Sequence, residues 1–154
     1  MKTKSVVLTI AFFILALGVG FAENANMGSW KLNEAKSKIP AGMPKNTTVV
    51  YAADGDNVKV TTEGTGGDGQ PVHTEWTGKF DGKDYPVTGD PTADSRSYKE
   101  VNDHTLSLEN KKGGKVVATG KAAVSPDGKT RTLTLSGKDP AGKKVTGTAI
   151  YDKQ

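Results

Sequence analysis

Cysteine is absent from this sequence of 154 residues. Its absence excludes disulfide bonds, cysteine-ligated zinc or iron–sulfur centres, a thiol nucleophile and a lipid anchor on cysteine. Only two histidines are present, and no Gly-x-Ser-x-Gly motif accompanies them. A hydrolase built on that motif is therefore excluded as well. Because the chain contains no catalytic constellation, we do not expect it to be an enzyme.

The two histidines lack the neighbours that a metal or catalytic site needs. His73 and Glu75 would share one face of a strand, but they supply two ligands where a zinc site needs three or four, so an exposed polar pair is favoured. His104 lies beside Asp103 with no third partner for a triad. Residues 64–69 are rich in glycine but precede a strand, not the helix N-terminus of a phosphate-binding loop. We expect no metal and no cofactor.

The first 22 residues have the pattern of a secretory signal peptide. Lys2 and Lys4 give a positive start, residues 6–17 are apolar apart from one threonine, and residues 20–22 provide a small-residue cleavage site. The alternative is an uncleaved membrane anchor, although the 17 residues from 6 to 22 are short for a span. We expect cleavage after Ala22, no stable membrane anchor afterwards, and export to the periplasm or the medium.

Cleavage at that point leaves residues 23–154, which is 132 residues and the size of one domain. Loss of Lys2 and Lys4 lowers the formal net charge from +4 to +2. Charges of both signs are scattered along the remaining chain, so no basic surface for nucleic acid is expected.

Bulky apolar residues are scarce in this domain, since Val, Ile, Leu and Phe supply only 19 of its 132 residues. Such scarcity indicates disorder in a highly charged chain, but here the net charge is low and the apolar residues alternate with polar ones. Turn signals such as Asp54-Gly55, Asp81-Gly82 and Asp127-Gly128 recur along the chain. The pattern predicts an all-β fold, a single antiparallel meander closed into a barrel.

The turn signals predict ten strands and no long helix. The strands are expected at about residues 28–33, 47–53, 56–64, 71–80, 83–88, 95–101, 104–110, 115–125, 129–137 and 143–152. Residues 33–46 contain Pro40, Gly42 and Pro44, which favour a loop with at most one helical turn near residues 34–38.

The hairpin turns also predict which residues lie opposite one another, and such pairs share one face of the sheet. The predicted pairs are Tyr51 with Val58, Val49 with Val60, Val58 with Trp76, Trp76 with Val87, Val124 with Arg131, Leu133 with Ala149, and Arg131 with Tyr151. The apolar members fall on one face throughout, so that face is expected to be buried. Lys59, Glu63, His73 and Glu75 fall on the other face.

Strands 95–101 and 104–110 allow two registers. A two-residue turn would direct Lys99 inward, whereas a three-residue turn would direct Arg96 and Tyr98 inward with Leu108. The second register buries less charge and is therefore preferred.

Gly28-Ser29-Trp30 opens the first predicted strand, and a ten-strand meander follows. This combination resembles the calycin group, which includes the lipocalins and the fatty-acid-binding proteins. More closely, residues 28–33 (Gly-Ser-Trp-Lys-Leu-Asn), residues 36–38, the block 81–89 and the terminal residues 151–153 are similar to small secreted bacterial lipocalin-like proteins of unknown role. The resemblance implies a barrel that Trp30 closes at one end and whose interior holds a small hydrophobic ligand.

The sequence departs from those families at two places. Residues 33–46 are too short for the two-helix lid of the fatty-acid-binding proteins. Their Arg-x-Tyr on the last strand, which holds a carboxylate, is replaced by Ala149-Ile150-Tyr151. Lipocalins pack a late Arg or Lys over the motif tryptophan, and Lys144 and Lys153 are both candidates for that position.

The residues predicted to face inward in the later strands are small, which leaves room inside a barrel of ten strands. These small residues are Ala118, Gly120, Ala122, Gly147 and Ala149. A void lined by Tyr51, Trp76, Phe80, Tyr85 and Leu133 is predicted to accept an apolar ligand. In the alternative interpretation, the barrel flattens or the glycines mark bends, and the interior is filled.

Arg131 is the strongest candidate for a polar contact with such a ligand. It lies two residues before Leu133 and therefore shares the inward face of the strand, and Tyr151 is expected opposite it. A guanidinium beside a phenol hydroxyl can hold a carboxylate or a phosphate. The alternative is an arginine at the barrel mouth that extends into water.

Two functions are compatible with these observations. The first is an exported barrel that binds or carries a small hydrophobic or amphipathic molecule in its interior. The alternative is a packed, non-catalytic interaction or structural module of the cell envelope, favoured by the polar exterior rich in Thr and Lys.

Overall fold

A computed structural model describes residues 23–139 and 141–154. The predicted signal peptide at residues 1–22 lies outside the described residues, so its cleavage and the export of the chain stay predictions. In the described ranges, no helix is both long enough and apolar enough to cross a membrane.

Ten strands and one short 3-10 helix make up the fold. The strands are β1 (Gly28–Leu32), β2 (Lys45–Asp54), β3 (Asn57–Thr65), β4 (Pro71–Gly78), β5 (Tyr85–Thr88), β6 (Ser95–Asn102), β7 (Thr105–Lys112), β8 (Lys115–Val124), β9 (Thr130–Lys138) and β10 (Lys144–Lys153). The 3-10 helix is Glu34–Lys36, where one helical turn was expected, and the side chain of Asn33 caps it by accepting from the Lys36 amide.

Each strand pairs antiparallel with its neighbours in sequence, and β1 pairs with β10, so the sheet closes on itself. This confirms the predicted all-β, ten-strand antiparallel meander closed into a barrel. All ten strands lie within a few residues of their expected positions. The turn signals, together with the alternation of apolar and polar residues, predict the strand positions well, because each turn requires residues that a strand disfavours.

Two hairpins differ from the predicted register by two residues. Tyr51 lies opposite Val60 instead of Val58, and Trp76 also lies opposite Val60 instead of Val58. In the first hairpin the turn is Gly55-Asp56, between the paired residues Asp54 and Asn57, which is one position later than expected. Because the side-chain period of a strand is two, a shift of two residues changes the pairs and leaves the faces unchanged.

The remaining predicted pairs are confirmed where the structure pairs the strands. Trp76 lies opposite Val87, Val124 and Tyr151 lie opposite Arg131, and Leu133 lies opposite Ala149. The inward facing of Arg96 and Tyr98 is confirmed as well, with Tyr98 opposite Leu108. The turn here has two residues, and a bulge at Val101 supplies the extra residue that directs Tyr98 inward.

The two ends of the barrel are closed differently. At one end, which we call the plugged end, residues 23–27 lie against the turn between β6 and β7: the Ala25 amide donates to the Asp103 carbonyl, and the Asn24 side chain donates to the Asn102 carbonyl. The opposite end, which we call the covered end, lies beneath residues 37–44. That loop is bonded to β10 through Lys38 and Thr148, and it buries the side chain of Met43.

Candidate functional site

Trp30 closes the plugged end and is completely buried. Its indole Nε1 donates to the Asn26 carbonyl over 2.7 Å. Lys153 Nζ lies 4.5 Å from the centre of the indole ring and also donates to the Met27 carbonyl. The structure therefore selects Lys153, and not Lys144, as the basic residue over the tryptophan. Partial burial lowers the pKa of Lys153.

The aromatic side chains predicted to line a void contact one another. Trp76 stacks on Phe80, with ring centres 6.5 Å apart, and meets Tyr85 and Tyr98 edge to face at 5.7 and 4.8 Å. Tyr51 contacts Phe80 and Tyr98 at 6.3 and 6.0 Å. Tyr51, Trp76 and Tyr98 are buried, whereas Phe80 and Tyr85 pack against them and are partly exposed. The part that any of these side chains takes in ligand binding stays a prediction.

Arg131 is 1% exposed, so its side chain does not extend into water at a barrel mouth. Its Nε donates to Asn26 Oδ1 over 3.1 Å, and its Nη2 donates to the Tyr51 hydroxyl over 2.6 Å. The guanidinium carbon lies 5.2 Å from the ring centre of Tyr51 and 5.3 Å from that of Tyr151. Nη1 is buried and has no hydrogen-bond partner among the described residues.

Tyr51 and Tyr151 contact Arg131 in a different way from the one expected. Tyr151 lies opposite Arg131 as predicted, but it presents its ring face to the guanidinium while its hydroxyl donates to the Asn46 carbonyl over 3.0 Å. The hydroxyl beside the guanidinium belongs to Tyr51. Burial raises the pKa of both hydroxyls, that of Tyr151 to about 12, and outweighs the opposing effect of Arg131. Both tyrosines are therefore neutral at physiological pH.

A second buried arginine provides a contrast. Arg96 donates from Nε to Asn110 Oδ1 over 2.6 Å and from Nη2 to Asp90 Oδ2 over 3.1 Å. The Asp90 side chain is only 12% exposed, so this is a largely buried ion pair. Arg96 thus has a carboxylate as counter-charge, whereas Arg131 has neutral partners.

An apolar pocket of about 30 Å³ lies at the covered end, between the loop and strands β9 and β10. Its lining residues are Ile39, Met43, Pro44, Asn46, Leu133, Leu135, Gly147, Ala149 and Tyr151. Of the seven predicted site residues, Leu133 and Tyr151 belong to this lining. The loop approaches closely because Gly147 has no side chain, and a Cβ there would lie 3.0 Å from Pro40 and 3.1 Å from the Met43 sulfur.

Several residues around Arg131 and around the pocket were not expected from the sequence. Asn26 holds Arg131 from a segment that precedes the first strand, and Ile39 and Met43 come from a loop with no periodic pattern. The small inward residues of β10 were the available signal for the pocket, since a loop can approach the barrel wall only where such residues leave room.

The exposed face carries a polar cluster on β3 and β4. His73 Nδ1 bonds to Glu63, His73 Nε2 lies 3.4 Å from Glu75 Oε1, and Lys59 lies 3.2 Å from the same carboxylate oxygen. Hydrogen bonds to the carboxylates of Glu63 and Glu75 raise the pKa of His73. Within the described part of the chain, no group of three or more His, Asp or Glu side chains is arranged to hold a metal.

Comparison with known proteins finds similarity among solved structures. No family model matches this chain, and no curated protein matches it. Among solved structures the chain is similar to a redesigned β-barrel, mFAP1, bound to DFHBI. The two chains are 17% identical, the match covers 83% of this chain and 96% of mFAP1, and the TM-score is 0.43. The description of this chain as a ten-stranded barrel rests on its own strand pairing.

Proposed function

We propose that this chain is an exported, calycin-type barrel that binds or carries a small molecule with an apolar body at the covered end. The observation that carries the proposal is the apolar pocket between the loop and the barrel wall. Leu133 and Leu135 face the interior there and remain partly exposed, which is unfavourable for aliphatic side chains unless something covers them. An apolar ligand would complete that cover.

Binding requires the loop to move. A volume of about 30 Å³ holds about one water molecule, whereas pockets for small organic ligands measure roughly 300–1,000 Å³. Met43 is the side chain to displace, because its sulfur lies against the position of Gly147 and its thioether is flexible enough to repack. We propose that residues 39–44 swing away from β10 as the ligand enters.

The sequence supports the export and the family in this proposal. Residues 1–22 have the order of charge, apolar run and small residues that signal peptides share. The contact between Lys153 and Trp30 is the arrangement that the resemblance to lipocalins implies.

A matched pair of substitutions on β9 tests the pocket. Leu135→Trp places a bulky side chain in the pocket, whereas Thr134→Trp places the same side chain on the exposed face of the same strand. The probe is N-phenyl-1-naphthylamine, an uncharged fluorophore. We expect saturable binding to wild type and to the Thr134→Trp variant, and loss of binding in the Leu135→Trp variant.

A third variant serves as a control, because Leu135→Trp could lose binding simply by misfolding. Met43→Ala enlarges the pocket, so it should bind the fluorophore more tightly than wild type does. Absence of saturable binding to wild type, or equal binding by both tryptophan variants with no gain in Met43→Ala, would refute the proposal.

The close filling of the interior favours a second candidate function. The aromatic cluster and the small volume under the loop are what a packed structural or interaction module of the cell envelope would have. Such a module would bind no fluorophore and would retain a specific envelope protein when the purified chain is used as bait. A carrier would give the opposite pair of results.

A further inference from the structure

Two neighbouring hairpins at the covered end carry a group of exposed lysines. Their turns are residues 113–114, between β7 and β8, and residues 139–143, between β9 and β10. Because β8 pairs with β9, the fold places the two turns side by side although they are well separated in the sequence. Five exposed lysines surround these turns, none of them in an ion pair among the described residues: Lys112, Lys115, Lys138, Lys143 and Lys144. We call these five residues the lysine rim.

The register of the two hairpins brings like charges together. Lys112 lies directly opposite Lys115, and Lys138 lies directly opposite Lys144. Like charges at directly opposed positions destabilise an antiparallel strand pair. Each hairpin would therefore be more stable with one acidic or neutral residue in place of a lysine. Two such pairs in adjacent hairpins indicate that the lysines serve something outside the fold.

The acidic residues at these turns are engaged in hydrogen bonds and leave the lysine rim positive. Asp94 Oδ2 accepts from a backbone amide of the first turn over 2.8 Å, and Asp139 Oδ1 accepts from two amides of its own turn over 3.0 and 2.9 Å. Lys111 on β7 is separate from the rim, because it is paired with Asp84 and Glu109. The five rim lysines and the two turn carboxylates together carry a formal charge of +3.

An exposed apolar side chain lies beside the lysine rim. Val116 follows Lys115 on β8 and is 51% exposed, and in the described part of the chain the other large hydrophobic residue so exposed is Val101, at the opposite end of the barrel. Cations next to an exposed apolar group fit the boundary of a lipid membrane, where the cations meet headgroup phosphates and the apolar group enters below them. A soluble polyanion would use the cations alone.

We infer that the lysine rim is a docking surface for a membrane that contains anionic phospholipid. The contact is peripheral and reversible, since it uses surface cations and one valine. Each lysine close to an anionic membrane strengthens binding about 5-fold, which corresponds to about 1 kcal/mol. No rim residue lines the apolar pocket, so this docking does not depend on the proposed ligand binding.

A charge-matched pair of variants tests the docking surface. The rim variant combines four substitutions, Lys112→Gln, Lys115→Gln, Lys138→Gln and Lys144→Gln. The control variant removes the same charge from four exposed lysines outside the rim, with Lys79→Gln, Lys83→Gln, Lys99→Gln and Lys129→Gln. The assay is co-sedimentation with vesicles of phosphatidylglycerol and phosphatidylcholine in equal parts, and with vesicles of phosphatidylcholine alone.

We expect wild type to bind the anionic vesicles and not the neutral ones. The rim variant should bind the anionic vesicles more than about 100-fold more weakly than wild type, because four close cations are lost. The control variant should lose less than about 5-fold at about 0.1 M salt, where charges more than about 10 Å from the membrane are largely screened.

Two further measurements establish the kind of partner and the cost of the charge pairs. Val116→Ser should weaken binding to the anionic vesicles about 3- to 10-fold, since the valine is half-exposed before docking, and should leave binding to polyphosphate unchanged. The rim variant should resist urea at least as well as wild type, because it relieves both like-charge pairs.

Equal losses of vesicle binding in the rim and control variants, or equal binding of neutral and anionic vesicles by wild type, would overturn the inference. Rim-dependent binding of polyphosphate, with no binding of vesicles by wild type, would overturn the assignment to a membrane in favour of a soluble polyanion. A rim variant less stable than wild type would also overturn it, because the lysines would then serve the fold itself. The fluorophore assay of the pocket is unaffected by each of these outcomes.

Discussion

The two buried arginines should respond differently to the same substitution, and the difference follows from their partners. Arg96→Met leaves the Asp90 carboxylate without its cation and Asn110 Oδ1 without its donor. Breaking a buried ion pair from one side costs about 3–5 kcal/mol. Because the Asp90 side chain is 12% exposed and water can solvate part of it, we expect a loss of about 3 kcal/mol in the free energy of unfolding.

Arg131→Met removes favourable and unfavourable contributions together. The two hydrogen bonds to Asn26 and Tyr51 contribute about 1 kcal/mol each, and each of the two ring contacts contributes about 0.5–1 kcal/mol. The substitution also removes a desolvated cation that has no counter-charge, and this removal stabilises the folded state by several kcal/mol. The contributions nearly cancel, so the stability of Arg131→Met should lie within about 1 kcal/mol of wild type.

Urea unfolding of the ligand-free protein at pH 7, followed by tryptophan fluorescence, measures both values. The expected order is wild type and Arg131→Met close together and Arg96→Met about 2–3 kcal/mol below them. A loss in Arg131→Met as large as that in Arg96→Met would refute the reasoning, because it would mean that the fold itself compensates the charge on Arg131.

Two further predictions concern the turns and the exposed face. Gly89→Ala should destabilise the barrel by about 1–3 kcal/mol more than Gly55→Ala in the same urea assay. Both residues have positive φ, but of the two only Gly89 would place a Cβ 1.9 Å from a backbone oxygen, that of His73. Equal losses of stability in the two variants would contradict this. The hydrogen bonds from His73 to the carboxylates of Glu63 and Glu75 raise the pKa of His73 in the folded state. Protonated His73 therefore stabilises the fold below its ordinary pKa of about 6.5, and that stabilisation is lost as the pH rises through the raised value. The melting temperature of wild type relative to His73→Gln should therefore fall between pH 6 and pH 9, and parallel curves would contradict the expectation.

The fold could be predicted from the sequence because its signals are local. Turn pairs such as Asp81-Gly82 and Asp127-Gly128 mark the ends of strands, and alternation between them assigns each residue to a face. The exact partners were harder to predict. Moving the turn from Asp54-Gly55 to Gly55-Asp56 leaves the inward face the same and changes every pair across that hairpin.

The candidate site could be predicted only where it lies on strands. Arg131 and Tyr151 were expected opposite one another because a single hairpin turn determines their pairing. The Tyr51 hydroxyl reaches Arg131 across the interior from β2, and Asn26 reaches it from the segment that plugs the barrel. Such contacts depend on closure of the whole sheet, which no local pattern encodes.

Native mass spectrometry of the protein purified from the cells that naturally produce it tests the central claim most directly. We expect wild type to retain one small molecule per chain and the Leu135→Trp variant produced in the same cells to lack it, because the substituted side chain occupies the pocket. Wild-type protein with no retained mass, which also gains none on incubation with N-phenyl-1-naphthylamine, would contradict the claim that this barrel binds a small molecule with an apolar body.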